Sequence, residues 1–266
     1  MGYSATRIAA YLRAQGWTIS GTSRSGTNGT IRFDDGASVA AALTSATHIL
    51  LSVPPAPDGA DAVLTTYGDA LKAAPARWIG YLSSTGVYGD TGGAWVDESA
   101  PLKGRRGGRN TADLAWQASR DDVRVFRLPG IYGPGRSALE RVREGKAHRV
   151  DDPLQVFSRV HVDDIVSGVI ASFEHGPAGV YNLSDDQPAP QNDVIDYACA
   201  LLKIAPPALI TPDDPALSPM ARAFYAENRR VANGKAKRLL KWQPLYPDYR
   251  SGLAAIYSSC AVPSHL

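Results

Sequence analysis

Several widely separated stretches of this sequence carry residue types that could do chemistry. Gly2-Tyr3-Ser4-Ala5 stands directly before an amphipathic stretch. It fits the last four positions of the turn G-x-G-x-x-G/A, whose following helix receives a pyrophosphate on its N-terminus. Four residues are weak evidence, since a plain helix start after an initiator Met reads the same way; their weight comes from the segments farther along the chain. Gly21-Thr22-Ser23-Arg24-Ser25 closes the next apolar run. In dinucleotide-binding folds an acidic residue at this point accepts the ribose 2′-OH of NAD, whereas an arginine takes the 2′-phosphate of NADP. Arg24 has no acidic neighbour within the turn, its guanidinium fork suits a phosphate, and Ser23 and Ser25 can add hydroxyl donors. NADP is therefore preferred, with NAD as the second choice and a solvated surface arginine as the plainer alternative. Asp34-Asp35 can cap the following helix or touch the adenine edge, and capping is the commoner use.

Other chemistries find little support. His161-x-Asp163 suggests no third metal ligand, and the five histidines do not group. Cys199 and Cys260 lie far apart and outside any CxxC spacing, so they read as reduced, structural thiols of a cytosolic protein. No G-x-S-x-G occurs, which argues against a hydrolase. A formal charge of +2 gives no footprint for nucleic acid or a membrane surface. There is no apolar run of spanning length, and Arg7 and Arg13 interrupt the first apolar stretch.

The elements that must position these residues alternate in type. Thr6–Gln15 is predicted as a helix with Gly16 as its C-terminal stop, and Trp17–Thr22 as a strand. Ile31–Phe33 is a short strand, Ala37–Leu43 a helix, and His48–Val53 a buried strand ended by Pro54 and Pro55. Asp61–Ala73 and Thr111–Ser119 are helices that bracket the strand Trp78–Ser83, and Val123–Leu128 follows as another strand. Strands separated by helices of this length make βαβ units, hence an α/β fold of the Rossmann type with a doubly wound parallel sheet. Beyond Tyr132-Gly133-Pro134-Gly135 come helices at Ala138–Glu144, Asp163–Phe173, Gln191–Leu202 and Lys235–Leu240, a late strand at Val180–Leu183, and proline-rich loops. The expected organisation is residues 1–135 as the dinucleotide-binding domain and 136–266 as a smaller, mainly helical substrate-side lobe.

The beginning is odd for such a fold. No residues precede Gly2 that could form a first strand and first glycine, with Met1 falling on the variable position between the two glycines. Either Met1 is an internal methionine read as a start, or the sheet lacks a central strand. The first is favoured, because loss of a central parallel strand conflicts with every other local signal.

One segment is more distinctive. Ser83-Ser84-Thr85-Gly86-Val87-Tyr88-Gly89-Asp90, followed by Trp95-Val96-Asp97-Glu98, resembles the extended short-chain dehydrogenase/reductases, the NAD(P)-dependent epimerase/dehydratase superfamily. Arg127–Arg136, Arg159–Asp164, Tyr181–Asp185, Asn228–Arg230 and Leu245–Tyr249 continue the likeness in order over nearly the whole chain. The resemblance implies an oxidoreductase acting on a carbonyl or sugar-like small molecule, with relatives that commonly form homodimers. Ser84 matches the hydroxyl that hydrogen-bonds the reacting oxygen. Ser52-Val53-Pro54 matches a strand end bordering the cofactor, and Pro129-Gly130-Ile131 the loop lining the nicotinamide. Arg136 and His161 fall where the second lobe meets the cleft and become candidate substrate contacts; for His161, a hydrogen bond at a helix start is at least as good a reading.

The sequence then departs from this family. Its reductive chemistry uses a tyrosine as acid/base, with a lysine four residues on that lowers its pKa and holds the ribose. None of the 12 tyrosines has such a lysine, and none lies between Tyr88 and Tyr132. Counting back from the helix at Asn110–Gln117, Arg109 takes the lysine place and Arg105 the tyrosine place. Arg109 can still hold a ribose or phosphate, but neither arginine exchanges protons at neutral pH. Tyr88, His161 or a water relay are the remaining candidates for proton transfer. A cofactor-binding sensor or scaffold without turnover is the alternative function.

Overall fold

The computed structural model describes residues 1–56 and 58–261. The first half runs α1 (Tyr3–Ala14), β1 (Thr22–Ser23), β2 (Ile31–Arg32), α2 (Gly36–Ser45), β3 (His48–Leu51), α3 (Ala62–Ala73), β4 (Trp78–Ser84), β5 (Trp95–Val96), α4 (Gly107–Ser119) and β6 (Val123–Leu128). There follow β7 (Gly130–Tyr132), α5 (Ala138–Arg143), β8 (Arg149–Val150), β9 (Arg159–His161), α6 (Val162–Ala171), β10 (Gly179–Asn182) and α7 (Gln191–Leu202). The chain ends with β11 (Leu209–Ile210), α8 (Pro219–Tyr225), β12 (Arg230–Val231), α9 (Gly234–Leu239) and α10 (Tyr249–Ala261).

The main sheet has the order β10-β6-β4-β3, all parallel, with Ile79 opposite both Ile49 and Val123. Parallel strands need crossover connections, and the helices that supply them cover both faces. Ile8 and Leu12 of α1 join Ile165 and Val169 of α6 against Trp78 and Phe126 on one face. On the other, Val63 and Tyr67 of α3 and Trp116 of α4 pack on Ile79, Tyr81 and Val125. A third core unites α5, α7 and α10 through Leu139, Ile195, Ala198, Leu253 and Ile256, and Cys199 is buried within it. The side chain of Cys260 lies outside the described residues. Among the described residues no helix is long and apolar enough to cross a membrane.

Two expectations are corrected. The strand expected over Trp17–Thr22 is reduced to Thr22–Ser23, which pairs only with β2 in a separate two-stranded ribbon. Trp17 is held by side-chain packing, edge-on to His48 at 4.8 Å and tilted against Phe173 at 5.6 Å. Apolar character drew the segment onto the core, but a strand also needs a neighbour in register, and residues 17–20 have none among the described residues. Nor does residue 135 divide the sheet from the rest. Beyond it, β10 pairs with β6 and α6 packs on α1, so the later chain returns to complete the sheet layer.

Candidate active site

The carboxyl end of β4 is where the distinctive segment begins. Side chains alternate along a strand, so Ser83 and Ser84 face opposite ways. Ser83 is buried and its hydroxyl donates to Asp113 Oδ2 at 2.6 Å. Ser84 is half-buried and its Oγ accepts from the Gly86 amide at 3.1 Å, capping the 3-10 turn Thr85–Tyr88. That bond fixes the oxygen and leaves the hydroxyl hydrogen to donate elsewhere. The chain leaves the turn through Gly89 at φ 73°, packed so tightly on the Lys103 carbonyl that a Cβ would collide with it.

Below Ser84 lies a charged network with almost no access to water. Asp113 is 0% exposed and Arg127 2%. Arg127 donates from Nη2 to Asp113 Oδ1 at 2.7 Å and from Nε to Oδ2 at 3.1 Å, while Gln117 Nε2 donates to Oδ1 at 2.7 Å. Arg127 Nη1 also donates to the Tyr88 hydroxyl at 3.1 Å, and that hydroxyl donates to Asn182 Oδ1 at 2.7 Å. Tyr88 is thus corrected as a candidate catalyst. Its oxygen is buried and committed in both directions, and burial pushes its pKa above the ordinary value.

The tyrosine and lysine places hold arginines with different fates. Arg105 is tethered to α8 and the residues after it, donating from Nε to Glu227 Oε1 at 3.1 Å and from Nη2 to the Ala223 carbonyl at 3.0 Å. Glu227 also receives Arg229 Nη1 at 2.7 Å; the hydrogen bonds from Arg229 and Arg105 outweigh burial and hold its pKa below the ordinary value. Arg109 is half-buried on the first turn of α4; its amide donates to the Arg106 carbonyl at 2.9 Å, and its guanidinium has no hydrogen bond or ion pair among the described residues.

These contacts form a circuit around the end of β4. Gly104 lies against Gly86, its amide donating to the Val87 carbonyl at 2.9 Å. Next comes Arg105, bonded to Ala223; then Phe224, stacked on Phe157 with centroids 4.3 Å apart. Ser158 follows Phe157 and accepts at its carbonyl from the Gly130 amide at 3.2 Å, and Leu128, just before Pro129-Gly130, pairs with Ser84. Pro129, Gly130 and Ile131, the residues expected to line a nicotinamide, follow β6 and are half-buried.

The phosphate end expected from the sequence falls at α1. Gly2 caps the helix in extended conformation with no side-chain hydrogen bond, and a Cβ there would meet nothing within 4 Å. Open space therefore adjoins Gly2 at the N-terminus of α1, and a helix N-terminus is the end that suits an anion. Arg136 stands over the Tyr3 ring at 5.7 Å, and the Tyr3 hydroxyl donates to the Pro134 carbonyl at 3.0 Å. Arg136 is thus moved from the expected substrate contact to the α1 end. Ser52, Val53 and Pro54 follow β3, with Val53 and Pro54 exposed. Arg24 is exposed and carries no partner among the described residues. Its serine neighbours are corrected: Ser23 Oγ bonds Thr30 Oγ1 at 2.7 Å and accepts from Gly26 at 3.0 Å, while Ser25 bonds Thr27 at 2.9 Å, so both hold their own turn. Asp35 caps α2 by accepting from Ser38 at 3.1 Å, and Asp34 pairs with Arg32.

His161 takes the helix-start alternative. It is 1% exposed and caps α6, its Nδ1 accepting from the Asp163 amide at 3.2 Å. Burial pushes its pKa down to about 4, so at neutral pH the ring is uncharged and shut away from the cleft. Sequence reasoning passed over Asp113, Arg127, Glu227 and Phe224. The signal for the first two was present, an aspartate among Ala112 and Trp116 on the apolar face of α4 and an arginine inside an apolar strand.

No protein-family model matches the chain. A functionally unknown conserved protein from Silicibacter pomeroyi DSS is 41% identical, with a TM-score of 0.85 over 98% of this chain and 97% of that one. A Streptomyces protein described as a 3-diazoavenalumate denitrifying reductase is 28% identical over 234 residues, 79% of this chain and 76% of its own. Human epimerase family protein SDR39U1 with NADPH, at 17% identity, superposes with a TM-score of 0.75 over 97% of this chain and 96% of that one. The dTDP-glucose 4,6-dehydratase of Bacillus anthracis in complex with NAD, at 18% identity, also gives 0.75, over 97% and 93%. At such identities the last two show a shared fold.

Proposed function

Since this chain is in fold an extended short-chain dehydrogenase/reductase of the NAD(P)-dependent epimerase/dehydratase superfamily, atypical in lacking the tyrosine–lysine pair, we propose that it is an NADP-preferring reductase of a small molecule. The observation that carries the reading is an α1 N-terminus with open space at Gly2, together with a Ser84 hydroxyl fixed at the carboxyl end of β4. Gly2 and Ala5 would hold the pyrophosphate, Arg24 the 2′-phosphate, and Pro129–Ile131 would line the nicotinamide. Bound there, the reduced cofactor supplies a hydride equivalent.

The chain's own residues do the rest. Ser84, fixed by the Gly86 amide, donates a hydrogen bond to the substrate oxygen and polarises it. Arg109 holds a ribose or an anionic group by charge-assisted hydrogen bonds. Neither arginine is an acid at neutral pH, so the final proton comes from water at the cleft mouth. The 28% identity to a protein named as a reductase supports this direction of chemistry.

Fluorescence titration of NADPH and NADH tests the first half, and failure of both to bind would overturn the reading. Ser84→Ala tests the second: cofactor affinity is expected to hold while the rate falls about a hundredfold. A second reading is favoured by the tether of Arg105, which fills the place of the family's acid/base: a sensor that binds NADP without turnover. Cofactor binding with no reduction of any acceptor would select it.

A further inference from the structure

The segment that tethers Arg105 carries an aromatic cluster. Phe224 and Phe157 lie face to face, 10° from parallel, yet Phe224 is 51% exposed. Tyr225 sets its ring edge-on to both, at 5.4 and 6.3 Å. One face of Phe224 is thus occupied by a neighbouring ring, and much of the remainder is open to a further flat group.

The polar side chains nearest in sequence to this aromatic cluster are already engaged. Gln155 Nε2 donates to the Glu227 carbonyl at 2.8 Å, and Asn228 bonds both the Leu154 carbonyl and the Val156 amide. Arg229 is held by Gly89 and Glu227. A ligand rich in hydroxyls would meet few free partners here and would lose hydrogen bonds to water. By contrast, the Arg105 Nη1 has no partner among the described residues, and the guanidinium is anchored at the carbonyl of Ala223, the residue before Phe224.

Resting on the reading of this cleft as the substrate site of an NADP-dependent reductase, we propose that its substrate class is planar aromatic acids, the ring stacked on Phe224 and the acid group on Arg105. Stacking supplies orientation as well as affinity, because a flat ring on a fixed face has few ways to lie. An anion beside Arg105 accepts charge-assisted hydrogen bonds from a fork already held in place by Glu227.

The test is calorimetry on the protein saturated with NADP⁺, using 4-hydroxycinnamate, its methyl ester, cyclohexanepropanoate and UDP-glucose. The free aromatic acid is expected to bind roughly tenfold tighter than each of the other three. Phe224→Ala should weaken it roughly fivefold, and Phe224→Trp should restore it, with the dissociation constant for NADPH unchanged in both variants. Equal binding of the saturated acid or the ester, tighter binding of UDP-glucose, or an unaffected Phe224→Ala variant would each overturn the proposal while leaving the reductase reading in place. Cinnamate binding that depends on Phe224 in a protein that binds no NADP(H) would support the aromatic site and remove the reductase.

Discussion

The guanidinium of Arg127 grips the carboxylate of Asp113 through two hydrogen bonds, 2.7 and 3.1 Å long, directly beneath the serine pair that ends β4. The pair joins α4 to β6, and Ser83 ties it to β4. Removing one member of a buried pair leaves the other charge desolvated and uncompensated, which costs about 3–5 kcal/mol. Asp113→Ala and Arg127→Met are each expected to lower unfolding free energy by that order in urea denaturation. The double variant should recover part of the loss, since neither charge then remains buried alone. Additive losses would contradict direct coupling of the two residues.

Tyr88→Phe separates structure from chemistry. The hydroxyl lies between Arg127 and Asn182, and the residue is buried. Its removal orphans one acceptor and one donor, a loss of about 1–3 kcal/mol of stability. Turnover per folded molecule should stay within about twofold, whereas loss of a working proton donor costs about a hundredfold or more. Activity normalised to folded protein distinguishes the two.

The strands that became the sheet were legible because they are apolar on both faces, as at Trp78–Ser84, and because Pro54 and Pro55 mark where β3 must stop. Trp17–Thr22 misled for the same reason: hydrophobicity reports burial, while pairing depends on a neighbour that local sequence does not reveal. The Ser84 segment was legible as a motif. The fate of its partners was not, because Arg105 is defined by residues 118 and 122 positions away, Ala223 and Glu227. Likewise Arg136, read as a substrate contact from its place after Gly135, is carried to α1 by the turn at Gly133–Arg136 and rests on Tyr3.

Under the proposed function, Arg24 is the residue that would tell NADPH from NADH. It is exposed and uncompensated at the end of β1, with Ser23 and Ser25 turned into their own loop. The guanidinium alone should therefore discriminate the 2′-phosphate. Arg24→Ala is expected to raise the dissociation constant for NADPH about tenfold and leave that for NADH unchanged. The NADPH preference of the parent should also shrink with added salt, because the contact is solvent-exposed. Equal weakening for both cofactors would take the 2′-phosphate away from Arg24.

His161 and Asp164, at the start of α6, should give opposite pH signatures. Burial lowers the His161 pKa from 6.5 to about 4, so between those values the unfolded chain binds a proton that the folded chain does not. Stability is then lost as pH falls through this window, by about 3 kcal/mol. Burial raises Asp164 from 3.8 to about 6, against the Leu245 and Tyr246 amides that donate to it. Here the folded chain holds the extra proton, and stability is lost as pH rises from about 4 to 6, again by about 3 kcal/mol. His161→Asn keeps a side-chain oxygen to cap α6, and its stability relative to the parent should improve as pH falls from about 6.5 to 4. Asp164→Asn gives up one acceptor but should gain on the parent as pH rises from about 4 to 6. Urea midpoints at closely spaced pH values would check both slopes, and parallel profiles for parent and variants would show that neither group titrates between these limits.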